Sequence, residues 1–192
     1  MLKKRIAVIV GLLVLGGLVA GLIMLTAPYR EDAAVAGGLW PTHTVLGVDD
    51  GVVDEADGIS PFADELPALA KLDPALRDAM QAAARDAIAD GVDFIVTSGW
   101  RSVAYQQSLL DAAVVEYGSA EAAGEFVLSP DESKHVTGEA VDIGRTDANS
   151  WLSQHGADYG LCQIYANEMW HFELATEPGG TCPPQRSHAG AA

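Results

Sequence analysis

The sequence predicts an α+β domain in which a small, mostly antiparallel sheet packs against helices. Two observations support this fold class. Helical periodicity dominates the first half of the domain, and short apolar runs bounded by turn residues dominate its second half. Helices that precede strands in this way are typical of an α+β arrangement rather than of a repeat protein, and we find no internal repeat.

The first predicted helix begins after Asp73 and ends before Gly91. Asp73 suits the N-cap, Pro74 suits the first helical position, and glycine is a common stop. Four apolar side chains recur at helical spacing and predict a buried stripe, formed by Leu76, Met80, Ala84 and Ile88.

The elements that follow are shorter. A strand is predicted over residues 93–99, and helices over about 102–117 and 120–127. A loop, a turn and a strand then cover "SKHVTGEAVDIG", and a short helix covers "DANSWLSQHGADYG". Two strand-like runs, "LCQIY" and "MWHFEL", complete the predicted sheet.

The N-terminal segment is the most hydrophobic part of the chain. Ile6 to Thr26 is a run of 21 residues without a charge, long enough as a helix to cross a hydrocarbon core of about 30 Å. The preceding "KKR" would stay in the cytoplasm. A cleaved secretory signal, cut near Ala36, is the alternative. Both interpretations export the rest of the chain.

The predicted organisation has four parts. Residues 1–27 form a cytoplasmic stub and anchor or signal, and residues 28–60, rich in glycine, alanine and aspartate, form a flexible spacer. Residues 61–184 form the domain, and residues 185–192 form a disordered tail.

The charge balance excludes one class of function. The chain has 11 basic and 27 acidic residues, a net charge of −16, and three of the basic side chains lie in the N-terminal "KKR". So acidic a surface repels phosphate backbones, and no basic stripe compensates. We therefore expect no nucleic-acid partner.

Two cysteines are present, Cys162 and Cys182. Their spacing fits neither a CxxC redox pair nor a zinc knuckle, and export would place them in an oxidising compartment. We therefore expect a disulfide, with two free thiols as the alternative.

One constellation of residues suggests a metal site. His135 and Asp142 lie seven residues apart, and Gly138 between them allows the backbone to bend so that both face one ion. His171 lies in an apolar run three residues after Glu168. Three such ligands with a nearby carboxylate as general base are typical of a catalytic zinc. Taken singly, each residue also fits an ordinary structural role.

Together these motifs resemble a known family. "SKHVTGEAVDIG" followed by "NEMWH" resembles the SxHxxGxAxD and ExxH motifs of the VanY-type zinc D-alanyl-D-alanine carboxypeptidases, and "TSGWRSVAYQQ" is similar to their SGYRSxxxQ segment. The resemblance covers about residues 66–183. It implies the fold shared by D-Ala-D-Ala peptidases and the Hedgehog domain.

The resemblance also implies roles for individual residues. His135, Asp142 and His171 would bind one Zn²⁺, and Glu168 would be the general base. Arg101 is implied to contact the substrate's carboxylate or the region of the scissile carbonyl, and we count it as catalytic because it can stabilise the developing oxyanion. Gln106 and Ser133 are implied to bind substrate, and Trp170 beside the third ligand is a further candidate. The guanidinium of Arg101 has the fork of donors that suits a carboxylate.

The expected activity is removal of the terminal D-alanine from peptidoglycan stem peptides, by a monomer anchored outside the cytoplasm. An L,D-carboxypeptidase or a dipeptidase would share the same four central residues. A non-catalytic zinc-binding module tethered to the membrane is a different class of alternative. The presence of Glu168 argues against a non-catalytic module, because a structural zinc takes four protein ligands and needs no base.

Overall fold

A computed structural model describes residues 45–191, and within them the sheet has four antiparallel strands. In chain order these are β1 (Ile95–Ser98), β2 (Ala140–Gly144), β3 (Leu161–Gln163) and β4 (His171–Leu174). Their spatial order is β1-β2-β4-β3, so the last strand lies between the second and the third. The predicted α+β fold with a small antiparallel sheet is confirmed.

Six α-helices surround the sheet in the described part of the chain. They are α1 (Pro67–Ala70), α2 (Pro74–Ala89), α3 (Val103–Tyr117), α4 (Ala120–Ala123), α5 (Lys134–Thr137) and α6 (Thr146–His155). Asp73 caps α2 as predicted, because its side chain accepts hydrogen bonds from the first-turn N–H groups of Ala75 and Leu76. The helix predicted to extend to residue 127 ends at Ala123.

The core lies between α2 and one face of the sheet. Leu76 and Met80 from the helix pack with Val141, Ile143 and Phe172 from the inner strands, and all are buried. Strand side chains alternate between faces, so the residues between these apolar ones point away from the core. That opposite face carries the functional residues described below.

One residue of the predicted stripe lies elsewhere. Ile88 is 47% exposed, whereas Ala83 and Ala87 are fully buried in the core. The two alanines follow Met80 at helical spacing and allow α2 to approach the sheet closely. At the C-terminal end of the helix, the buried face therefore contains Ala83 and Ala87 and leaves Ile88 out.

The predicted spacer is wrong for residues 45–60, which pack against the domain. Asp50 accepts hydrogen bonds from the backbone N–H and the hydroxyl of Ser102 at 2.9 and 2.8 Å. Ile59 forms a β-bridge with Val96, and Val53 is buried. Backbone pairing and one apolar anchor order a segment whose composition alone suggested a flexible linker.

The predicted disordered tail is also ordered over most of its length. The N–H of Arg186 donates to the carbonyl of Ile164, the N–H of Ala166 donates to the carbonyl of Arg186, and Ala189 is buried. The predicted Cys162–Cys182 disulfide is confirmed and links β3 to the segment that leads into this tail.

No helix within residues 45–191 is both long enough and apolar enough to cross a membrane. The anchor or signal predicted over residues 1–27 lies outside the described residues.

Candidate metal centre and substrate groove

Three neighbouring strands bring the central residues together. Asp142 on β2 is paired with His171 on β4 and, across the other edge, with Ser98 on β1. Asp142 points away from the core because Val141 and Ile143, its neighbours along the strand, point into it. The register of the sheet therefore places two predicted ligands side by side although they are distant in sequence.

His135 reaches the same place from the short helix α5. The helix is followed by its C-cap Gly138, which has a φ of 76°, and a Cβ there would collide with the carbonyl oxygen of Lys71. Only glycine combines this left-handed turn with so close an approach of another backbone. The turn directs the chain from α5 straight into β2, so that His135 faces Asp142.

Three atoms form an almost equilateral triangle. His135 Nε2, His171 Nδ1 and Asp142 Oδ1 are separated by 3.3, 3.3 and 3.4 Å. Ligands about 2.0–2.1 Å from a tetrahedral zinc are about 3.3–3.4 Å apart. Asp142 Oδ1 is buried and has no hydrogen-bond partner in the described part of the chain. The residues therefore fit one zinc ion with three protein ligands.

Each histidine is held from its far side. His135 Nδ1 is 2.8 Å from the carbonyl oxygen of Gly99, and His171 Nε2 is 3.0 Å from Glu173 Oε1. Both partners are acceptors, so each fixes the ring N–H away from the triangle and leaves the other nitrogen free as a ligand. Sequence reasoning missed Glu173, although its position two residues after His171 on one strand face was a usable signal.

Arg101 is fixed beside the triangle by three side chains. Its guanidinium donates to Ser98 Oγ at 2.8 Å, to Gln106 Oε1 at 3.1 Å and to Asp142 Oδ2 at 2.7 Å. Asp142 thus uses one oxygen for the arginine and turns the other toward the metal position. Gln106 also donates to the carbonyl of Leu128, so its amide orients Arg101 in this structure.

Electrostatics at the triangle favour a cation. Burial alone would raise the pKa of Asp142, but His135, His171 and Arg101 hold it well below its usual range. Burial lowers the pKa of His171, but the neighbouring carboxylates of Asp142 and Glu173 outweigh this and raise the pKa to about 9. The acidic groups around the triangle therefore stabilise positive charge there.

Glu168 lies next to the ligands without occupying the triangle. Its Oε2 is 3.9 Å from His171 Nδ1, and its Oε1 is buried without a hydrogen-bond partner among the described residues. Burial raises the pKa of this carboxyl to about 7. A carboxyl in this state is suited to accept and return a proton near neutral pH.

The triangle opens into a groove of about 700 Å³. Ser133 and Trp170, two of the predicted substrate-binding residues, line it; the serine is buried and the indole is 42% exposed. All residues predicted from the sequence for the site are thus gathered at one groove, and the disulfide lies apart from it.

This fold and this site define the class of zinc peptidase domains. The VanY profile, described as D-alanyl-D-alanine carboxypeptidase, matches residues 69–178, more than half of the chain. The chain belongs to the VanY family.

Relatives and solved structures agree with the family. A D-alanyl-D-alanine carboxypeptidase of Enterococcus faecalis is 33% identical over 127 residues, which cover 53% of this chain and 46% of that protein. The chain thus spans about half the length of this curated relative. A mutant of the vancomycin resistance D,D-pentapeptidase VanY from a VanB-type cassette, in complex with Zn(II), is 29% identical with a TM-score of 0.50, covering 53% of this chain and 71% of that one.

A second solved structure, VanYB in complex with D-alanine-D-alanine, is 30% identical with a TM-score of 0.50. It covers 53% of this chain and 70% of that one. One zinc per chain, predicted from the sequence, is supported by the Zn(II) complex of the relative and by the triangle in this structure.

Proposed function

We propose that this protein is a zinc-dependent D,D-carboxypeptidase that removes the terminal D-alanine from peptidoglycan stem peptides. The observation that carries the proposal is the His–Asp–His triangle with a buried carboxyl beside it that is not a ligand. A structural zinc would have four protein ligands and no use for such a base. Family membership and the relative bound to D-alanine-D-alanine support the choice of bond.

Each residue has a role in peptide hydrolysis. His135, Asp142 and His171 would hold the metal, which when bound supplies a Lewis acid that lowers the pKa of water toward about 7. Glu168 takes the proton from the attacking water and passes it to the leaving amine. Arg101, held rigidly by Ser98, Gln106 and Asp142, presents its remaining N–H donors to the scissile carbonyl, where negative charge develops.

The wider substrate contacts are part of the same proposal. Ser133 and Trp170 contact the peptide from the groove walls, while Gln106 acts on the substrate by positioning Arg101. Because Arg101 is engaged with Asp142, we assign it to the scissile bond rather than to a distant carboxylate.

We also propose that the protein works outside the cytoplasm as a monomer, anchored through residues 1–27. The uncharged run from Ile6 to Thr26 and the basic residues before it support the anchor. Fractionation of cells that express the full chain tests it: recovery in the membrane fraction is expected, and recovery of a shortened chain from the medium would indicate cleavage near Ala36 instead.

The activity is tested with the zinc-loaded wild type and the Glu168→Gln variant. Wild type should release D-alanine from a stem pentapeptide, and the variant should lose at least about 10²-fold in kcat, the scale of a lost general base. Mass spectrometry follows the released amino acid, and metal analysis should find about one zinc in both proteins.

The same assay separates the related activities. Release from a stem tetrapeptide instead of the pentapeptide would move the assignment to an L,D-carboxypeptidase, and cleavage of the free D-alanyl-D-alanine dipeptide alone would indicate a dipeptidase. Bound zinc without turnover of any of the three would contradict the proposed function.

A further inference from the structure

The groove extends far beyond the metal triangle, along one face of α3. The stripe consists of Gln106, Leu109, Ala113 and Glu116, which recur every three or four residues and all line the groove. Gln106 fixes the near end of the stripe because it binds Arg101 beside the triangle. We call this part of the groove the α3 trough.

A stacked aromatic pair lies at the far end of the trough. Tyr117, the last residue of α3, and Phe126, after α4, have ring centroids 4.8 Å apart at an interplanar angle of 17°. Both line the groove, and they are 41% and 42% exposed. Two large aromatic rings are therefore exposed together at this end of the trough, where they can contact a bound ligand.

The composition of α3 agrees with a surface that is covered only when a ligand binds. Most of its side chains from Val103 to Tyr117 are apolar, yet only Gln106 and Ala113 are buried. Among the described residues, none from α3 belongs to the hydrophobic core that α2, α6 and the sheet form, so packing against that core does not account for the apolar side chains of α3. A bound substrate would shield those that face the trough.

The length of the trough indicates which part of a substrate lies there. From Gln106 to Glu116 a helix rises about 15 Å, at about 1.5 Å per residue. An extended peptide spans about 3.3 Å per residue, so about four residues fill this distance. A carboxypeptidase releases a single residue, which is too short for the trough. The part of the substrate before the scissile bond must occupy it.

We propose, resting on the proposed function, that the α3 trough binds the four residues before the scissile bond and that Tyr117 and Phe126 bind the amino sugar beyond them. In peptidoglycan the first stem residue is joined to the lactyl group of an amino sugar, so a peptide of this length brings a sugar ring to the aromatic pair. The flat faces of aromatic rings pack against the C–H surface of a pyranose, while the rims stay in water. The preferred substrate is therefore the glycan-linked stem peptide.

The test compares two substrates that differ only in the sugar: a free pentapeptide and the disaccharide pentapeptide. Zinc-loaded wild type should prefer the disaccharide pentapeptide in kcat/KM, and Tyr117→Ala and Phe126→Ala should each reduce that preference about five- to tenfold, mainly through KM. Tyr117→Phe keeps the ring and should keep the preference. Val115→Ala, an 84% exposed apolar residue of the same helix outside the groove, is the matched control and should change neither substrate.

A wild type that treats both substrates alike, or alanine variants that lose activity equally on both, would overturn the inference. Binding of the disaccharide pentapeptide to the zinc-loaded Glu168→Gln variant, with and without Tyr117→Ala, is measured by calorimetry as a readout independent of turnover. Weaker binding with the alanine supports the glycopeptide surface even if no bond is cleaved, which would reject only the proposed hydrolysis. Equal binding rejects the surface itself.

Discussion

Single residues outside the ligand triangle control how well it is formed. Glu173 contacts His171 through the nitrogen that faces away from the triangle, at 3.0 Å. A carboxylate in that position fixes the orientation of the ring and raises the basicity of the ligating nitrogen. The strength of the metal site therefore depends on a residue that does not touch the metal position.

We expect Glu173→Ala to weaken zinc binding by about 10- to 100-fold. Competition with a fluorescent chelator measures the affinity. Glu177→Ala, an exposed glutamate a few residues later, should leave the affinity unchanged. Equal affinities for wild type and Glu173→Ala would show that the carboxylate does not orient the ligand.

That the four central residues lie together could be predicted from sequence, because their types and spacing form recognisable motifs. The alternation of strand side chains could place Glu173 on the same face as His171, but not its contact with the ring, and nothing marked the carbonyl of Gly99. Their roles depend on the strand register and on where α5 lies against the chain after β1, and neither is visible in a residue pattern. Gln106 shows the same limit, because its motif implied contact with the substrate, whereas in the structure its side chain accepts a hydrogen bond from Arg101.

At the level of elements, the turn between α5 and β2 sets the geometry of the site. Gly138 has a positive φ and lies against the backbone of Lys71, so a side chain there meets both conformational strain and a steric clash. Gly91, at the end of α2, has a similar φ of 82°, but a Cβ added there would meet no other atom within 4 Å. Substitution of Gly91 therefore tests the conformational strain alone, whereas substitution of Gly138 tests the strain and the steric clash together.

Gly91→Ala should lower the free energy of unfolding by about 1 kcal/mol, the cost of the left-handed conformation alone. Gly138→Ala should cost more, about 2–4 kcal/mol, because the clash is added, and should also weaken zinc binding by displacing His135. Urea unfolding of both variants measures the difference. Equal losses would mean that the backbone of Lys71 moves away freely.

Elements were predicted best where local signals agree. The cap, the first-turn proline and the glycine stop located α2 correctly, and short apolar runs bounded by turn residues indicated the strands. Residues 45–60 and the tail carry no such signals, and they are ordered by pairing with distant strands and loops. Their order could therefore not be predicted from composition.

At the scale of the whole molecule, the disulfide restrains the C-terminal part of the chain. Cys162 and Cys182 close a loop with a sequence separation of 20 residues. Replacement of both by serine should lower the free energy of unfolding by about 3 kcal/mol in the chain-entropy model. Denaturant unfolding of the zinc-loaded protein measures it, and reduction of the wild type should give a similar loss. No loss in either case would contradict a stabilising role.

Zinc should also stabilise the whole domain, because the triangle exists only in the folded state. At a free zinc concentration about 1,000 times the dissociation constant, the expected gain is about 4 kcal/mol. Thermal unfolding with zinc and with excess chelator should show a clear fall in Tm on chelation, reversed when zinc is restored. An unchanged Tm would argue against a metal bound at His135, Asp142 and His171.

The position of β4 between β2 and β3 has a consequence for the folding of the chain during its synthesis. The third ligand, His171, begins the last strand, and that strand fills the gap at the centre of the sheet. Because synthesis proceeds from the N-terminus, most of the chain has been made before His171 is available to complete the metal site. All three metal ligands come together only when this last strand has paired with β2 and β3, so a nascent chain without β4 lacks a complete metal site.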